Sequence, residues 1–257
     1  MSRIPNAFAK GTAFIGFVTG GDPSPAQSEA YILSMIKAGA DLIEIGIPFS
    51  DPIAEGPVIQ EANLRALAAG TTVDTLFALV RSLRRTTDVP LVFLSYLNPV
   101  LHYGYERFFA TCQEAGIDGI IIPDLPFDEK DELQAIAAAH DVDLISLIAP
   151  TSANRIANIA RDATGFIYLV SSLGVTGVRS EITTDLESIV RVIRSATDVP
   201  VAVGFGIHSP EQAHAVAKLA DGVIVGSAIV KQIAADPAGA SNKLYEYVRE
   251  MKAALGA

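Results

Sequence analysis

The sequence predicts an α/β fold, a (β/α)8 TIM barrel forming a single domain over residues 1–257, and three observations carry that expectation. Short apolar runs rich in Val and Ile alternate along the chain with segments of helical period, the mark of repeated βα units. Eight such units fall within 257 residues, a size at which this barrel closes. The units also echo one another: TTDVPLVFLSY (86–96) returns as ATDVPVAVGFG (196–206), and AGADLIEIGIP (38–48) as AGIDGIIIPDLP (115–126). Such self-similarity points to a closed, repetitive architecture.

In chain order, AFIGFVT (13–19) is the first strand, and SPAQSEAYILSMIKAGA (24–40) follows with apolar residues at three- and four-residue spacing, an amphipathic helix. DLIEIGI (41–47) is the second strand; a loop punctuated by Pro and Gly leads on towards a helix at VDTLFALVRSLRRT (73–86). The third to sixth strands are PLVFLSY (90–96), GIIIPD (119–124), DLISLIA (143–149) and FIYLVS (166–171). A helix at ITTDLESIVRVIRSA (182–196) precedes the last two, PVAVGFG (200–206) and DGVIVGS (221–227). Most of these runs are apolar nearly throughout, so both faces are expected to be buried, as in a parallel sheet covered by helices. An open doubly wound sheet is the alternative, but it usually carries GxGxxG after its first strand, and FVTGGDPS does not match.

Composition narrows the function classes. Half the residues are hydrophobic and 19% are charged, a globular balance rather than a disordered one. The formal net charge of -10 argues against nucleic acid and anionic membrane, which need clustered Lys and Arg. No apolar run is long enough to span a bilayer and the amino terminus lacks a secretion signal, so the cytoplasm is the expected location. The single cysteine, Cys112, sits in a helical pattern and reads as a small buried hydrophobe. His102, His140, His208 and His214 show no ligand-like grouping, so no metal is expected.

A barrel places its chemistry at the carboxyl ends of the strands. There, Gly204 and Gly206 end the seventh strand ahead of Ser209-Pro210, which reads as a helix N-cap, and Gly226-Ser227 end the eighth strand at the start of another helix. Glycines admit backbone N–H groups close to an anion, and a helix N-terminus adds its dipole; paired at these loops they read as a phosphate site, with turn chemistry as the alternative. SSLGVTGVRSE (171–181) reads as a segment able to close over a ligand, or as an ordinary connection. Glu44 interrupts an apolar strand, where a charge is costly without partners. Pointed into the barrel mouth, it would have its pKa raised and be suited to proton transfer; a paired core glutamate is the other reading. Glu55 alone reads as a solvated loop carboxylate, and Asp51 as a turn former. Phe17, Leu94, Tyr96, Tyr168 and Phe205 together suggest an apolar slot beside the anion site, although core packing explains each singly.

The stretch EIGIPFSDPIAEGPVIQEANLRALAAG (44–70) resembles the signature of the tryptophan synthase alpha subunit family, E-L/I-G-x-P-F-S-D-P-x-A-D-G-P-x-I-Q. FVTGGDPS, YLNPV, IIPDLP, GVTG, GFGI and GSAIVK agree with that family in order and spacing. The resemblance implies retro-aldol cleavage of indole-3-glycerol phosphate to indole and glyceraldehyde 3-phosphate, with Glu44 as general acid/base and Glu55 as the second catalytic carboxylate. It implies phosphate binding by Gly177, Gly206, Gly226 and Ser227, and an indole pocket of Phe17, Leu94, Tyr96, Tyr168, Thr176 and Phe205. Asp124 matches a residue that couples two loops, and Asp51, Pro52, Asn98 and Pro99 match the face that docks a beta subunit in an α2β2 heterotetramer. No cofactor is implied in this chain; pyridoxal phosphate is expected in the beta partner. The family's second acid is Asp, so Glu55 is a departure. Its extra methylene moves the carboxylate by about 1.5 Å, and displacement on the scale of 1 Å can cost about a hundredfold in rate. The sequence alone therefore leads to the expectation that Glu55→Asp raises the cleavage rate.

Overall fold

Eight parallel strands pair in sequence order and close into a barrel: β1 (Ala13–Thr19), β2 (Leu42–Gly46), β3 (Leu91–Leu94), β4 (Gly119–Ile121), β5 (Asp143–Ile148), β6 (Ile167–Val170), β7 (Val201–Gly204) and β8 (Gly222–Val225). The computed structural model describes residues 2–170, 186–204 and 206–256. Beyond β1, the strands are shorter than the apolar runs suggest, for example Leu91–Leu94 within 90–96. Where the run ends are described, residues such as Tyr96 and Pro123 lie beyond the strands and build the loops at the barrel mouth.

The apolar runs are continuous because alternate residues serve two cores. Ile15, Leu42, Val92, Ile121, Ile145, Tyr168 and Ile224 form one cluster that fills the barrel, whereas Phe14, Ile43, Phe93, Ile120, Leu169 and Val203 pack outward with the helices. The short helix Ile4–Phe8 plugs the amino-terminal end: Ile4 is fully buried in the inner cluster, and the rings of Phe8 and Phe166 lie 6.0 Å apart.

Local signals set the surrounding helices. Ser24 caps Pro25–Ala38 by accepting the N–H of Gln27 at 3.3 Å, with Pro25 in the first position. Thr72 forms a reciprocal capping box at Val73–Arg84, and Ser209 does the same at Pro210–Ala217. Within 182–196 the described helix is Leu186–Arg194. A separate helix, Pro57–Ala68, stands between the loop after β2 and Val73–Arg84. No single helix among the described residues is long and apolar enough to cross a membrane.

The repeated sequence segments prove to be a repeated clasp at the amino-terminal end. Asp118, one residue before β4, accepts the N–H of Leu91 on β3 at 2.9 Å and a guanidinium N–H of Arg84 at 2.6 Å. Asp221, just before β8, accepts the N–H of Val201 on β7 at 2.9 Å and pairs with Arg194 at 3.1 Å. Arg84 precedes TTDVP and Arg194 precedes ATDVP at matching offsets. Asp41, before β2, follows the pattern with a different cation: it accepts from Phe14 N–H at 2.7 Å and from Lys252 at 2.6 Å.

Candidate active site

At the carboxyl ends of the strands the barrel holds a cavity of about 610 Å³, whose walls include Phe17, Glu44, Glu55, Leu94, Tyr168, Gly206, Gly226 and Ser227. Strand register brings these residues together: Phe17 pairs with Glu44 across β1 and β2, and Glu44 with Val92 across β2 and β3. The two-residue period that turns Leu42 and Val92 inward therefore turns Glu44 and Leu94 inward one layer higher. Gly177 and Thr176, with the 171–181 loop, and Phe205 lie outside the described residues.

Glu44 is 1% exposed, and its Oε1 has no hydrogen-bond partner among the described residues. Burial pushes its pKa up to about 8, so the carboxyl group is protonated at neutral pH. The Tyr168 hydroxyl is pushed well up, first by burial and then by the charge Glu44 would carry. Glu55 is also buried, contrary to a solvated loop. Burial raises its pKa to about 7, against the opposing effect of Asn63, whose Nδ2 donates to Oε2 at 2.7 Å. The site thus pairs one carboxyl that keeps its proton with a second that is half ionised near neutrality, a separation suited to dividing acid and electrostatic roles.

Tyr96 differs from the expected placement. It does not line the cavity but lies behind the loop that bears Glu55, buried, with its hydroxyl accepting the N–H of Ala54 at 3.0 Å and its ring 5.5 Å from that of Phe49. Asp51, Pro52, Asn98 and Pro99 stand on the outer rim; Asp51 and Asn98 are exposed, and Ser50 donates to Asp51. Asp124 accepts the N–H of Leu97 at 2.9 Å, tying the loop after β4 to the helix Leu97–Tyr103 after β3.

Also on the cavity wall, the helix Ser227–Ala235 begins with Gly226 as its N-cap and no side-chain cap. Its first-turn N–H groups are therefore available to an anion at the positive end of the dipole. Gly206 takes a left-handed φ of 84° and exposes backbone to the same cavity.

Two other glycines make room for the rings. A Cβ on Gly46 would lie 2.7 Å from Phe17 Cζ, and one on Gly204 would meet the Tyr168 hydroxyl and lie 2.7 Å from its Cε1. Gly204→Ala is accordingly expected to drive the Tyr168 ring into the cavity, costing about 1–3 kcal/mol of stability and raising KM. Denaturant midpoints and KM check this, and Tyr168→Leu should partly rescue the double variant; additive losses would show that the two positions do not collide.

Asn63 and Lys130 escaped the sequence reading. Asn63 is 3% exposed on the same helical face as Ile59, Ala62 and Ala66; a polar residue within that apolar stripe is the signal that marks it. Lys130 lines the cavity wall with its ammonium 4.4 Å from the Phe127 ring centre, and burial lowers its pKa. Among the described residues no group of three His, Cys, Asp or Glu side chains is arranged to hold a metal.

Comparison with known proteins places this geometry. The family model described as "Tryptophan synthase alpha chain" matches residues 6–256. The tryptophan synthase alpha chain of Lactiplantibacillus plantarum is 51% identical over 257 residues, covering 99% of this chain and 97% of the relative. That of Lacticaseibacillus casei is 45% identical, covering 100% and 97%. A crystal structure of the tryptophan synthase complex from Pyrococcus furiosus superposes with a TM-score of 0.84 at 35% identity, covering 94% of this chain and 98% of that one.

Proposed function

Because the chain belongs to the tryptophan synthase alpha chain family, we propose that its cavity cleaves indole-3-glycerol phosphate to indole and glyceraldehyde 3-phosphate, with Glu44 as general acid/base. The observation that carries this reading is the pair of buried carboxyl groups, with pKa values near 8 and 7, on one cavity that also meets an uncapped helix N-terminus.

The phosphate is held by backbone N–H groups at Gly206, Gly226 and Ser227, while Phe17, Leu94 and Tyr168 flank the indole; Gly177, Thr176 and Phe205, outside the described residues, are expected to join them. Tyr96 supports it from behind by fixing the loop that carries Glu55. Protonated Glu44 gives its proton to indole C3, which makes the ring an electron sink. The resulting carboxylate then takes the proton of the adjacent glycerol hydroxyl. As the carbonyl forms, the carbon–carbon bond breaks, its electron pair returns to the ring, and Glu44 is again protonated. Ionised Glu55 accepts the indole N–H and stabilises the positive charge that develops there. Activity therefore needs Glu44 protonated and Glu55 ionised, a state bracketed by their two titrations.

Exposed apolar side chains beside the rim, Ile53 at 73% and Leu101 at 59%, support docking of a beta subunit on the face with Asp51, Pro52, Asn98, Pro99 and the coupling residue Asp124. In an α2β2 assembly, pyridoxal phosphate belongs to that partner, and the cytoplasm is the compartment this reading assigns. Steady-state cleavage by the chain, alone and with a beta subunit, tests the function: turnover that saturates with substrate is expected, and none under either condition would sink the proposal.

A further inference from the structure

We infer that Asn63 is a positioning residue that fits the active-site loop to a glutamate at position 55, holding one carboxylate oxygen so that the other meets the substrate's ring N–H; this rests on the cleavage reading above.

The loop backbone on either side of Glu55 is already fixed. Tyr96 receives the N–H of Ala54 at 3.0 Å, and Gln60 Nε2 donates to the carbonyl of Glu55 at 2.8 Å. The helix that carries Gln60 and Asn63 is itself anchored: Arg65 grips the buried Asp22, in the loop after β1, through two bonds of 2.8 Å. What remains free is the Glu55 side chain, with one more rotatable bond than Asp. Asn63, buried and eight residues on, donates to Oε2 at 2.7 Å and stops that freedom. A shorter carboxylate on the same backbone falls short of Asn63 by roughly a bond length, a misplacement that matters at about 1 Å. Glu55→Asp is therefore expected to lower the rate, the reverse of what the sequence alone suggests.

The donated hydrogen bond also favours the ionised carboxylate, opposing the burial that raises its pKa. Among the described residues, the titratable and charged groups around the same cavity are Glu44 from β2, Tyr168 from β6, and Lys130 and Arg155 beyond β4 and β5, with Tyr96 behind the loop. None of these donates to Glu55 in place of Asn63 among the hydrogen bonds of the described residues.

The test combines Asn63→Ala, Glu55→Asp and their double variant, with Asn63→Ser as a second truncation if the alanine chain folds poorly. Asn63→Ala is expected to lower kcat about tenfold with KM changed less than twofold, and to move the acid limb of the pH profile upward by about one unit. A carbon-13 carboxyl titration of the ligand-free chain should show Glu55 shifting by the same amount. Glu55→Asp should lower kcat alone but add little on top of Asn63→Ala. An unchanged Glu55 titration in the Asn63 variants, or a higher rate in Glu55→Asp, overturns the inference. A wild-type chain that cleaves nothing overturns the cleavage reading instead, and the ligand-free titration still decides whether Asn63 governs Glu55.

Discussion

Glu44→Gln is expected to lower cleavage by about 10³-fold or more, to leave binding of a phosphate ligand unchanged, and to make the ligand-free chain more stable at pH 8. The first two effects follow from position. Glu44 is the carboxyl at the floor of the cavity, whereas the proposed anion site uses backbone at Gly206, Gly226 and Ser227, which line the same cavity. Glutamine keeps the shape and loses the exchangeable proton. The third follows from linkage. The folded pKa of Glu44, about 8, stands above the ordinary value of 4.5. Between those pH values the unfolded chain releases a proton that the folded chain retains, so stability falls as pH rises from about 4.5 to about 8. The full loss is on the order of 4 kcal/mol, and a permanently neutral glutamine escapes it. Part of that gain is offset because the amide enters a place where Oε1 already has no partner, at about 1–3 kcal/mol. The net expectation is a gain of ~2 kcal/mol at pH 8, turning into a loss of about 1 kcal/mol near pH 5, where only the amide penalty remains. Thermal melts at both pH values check it, and equal melting temperatures of wild type and variant at pH 8 would contradict it.

Asp118→Ala is expected to cost about 3–5 kcal/mol of stability while the folded fraction keeps its cleavage rate. The carboxylate is 1% exposed and accepts four hydrogen bonds, from Arg3 N–H and Nη1, Arg84 Nη2 and Leu91 N–H, at 2.6–3.0 Å. Its removal takes the anionic partner from Arg84, 10% exposed, whose pKa burial already lowers and which is left with backbone carbonyls alone, and it strands the buried N–H of Leu91. The matching clasp at Asp221 and Arg194 is 40% and 54% exposed, so water can replace the lost partner there. Asp221→Ala should cost about 1 kcal/mol. Urea midpoints compare the two; similar losses at both sites would show that burial does not set the cost. Because both clasps lie at the end of the barrel opposite the cavity, neither variant should change KM.

How much of this was legible in the sequence depended on whether the signal was local. Strand positions followed from apolar runs, and the cap at Ser209 from its own neighbours. The inward turn of Glu44 was foreseen as one of two orientations, because a two-residue period gives the alternation but not which face is inside. The strand ends were overestimated because apolar residues such as Ile47 and Ile122 continue past the strands into packed loops. Burial of Glu55 was missed, since it depends on Tyr96 and Asn63 closing the loop from separate elements. The clasps were seen only as an echo: TTDVP and ATDVP gave the repeat, but the Asp residues that complete it lie 20–27 positions later.

The central claim, that Glu44 acts protonated beside an ionised Glu55, is tested most directly by the pH dependence of kcat/KM for indole-3-glycerol phosphate cleavage. The folded pKa values of about 7 and about 8 predict a bell that rises as Glu55 ionises and falls as Glu44 loses its proton, with its maximum between them and both limbs belonging to the coupled pair. A profile that stays flat through this range, or that keeps rising above pH 9, would contradict the account.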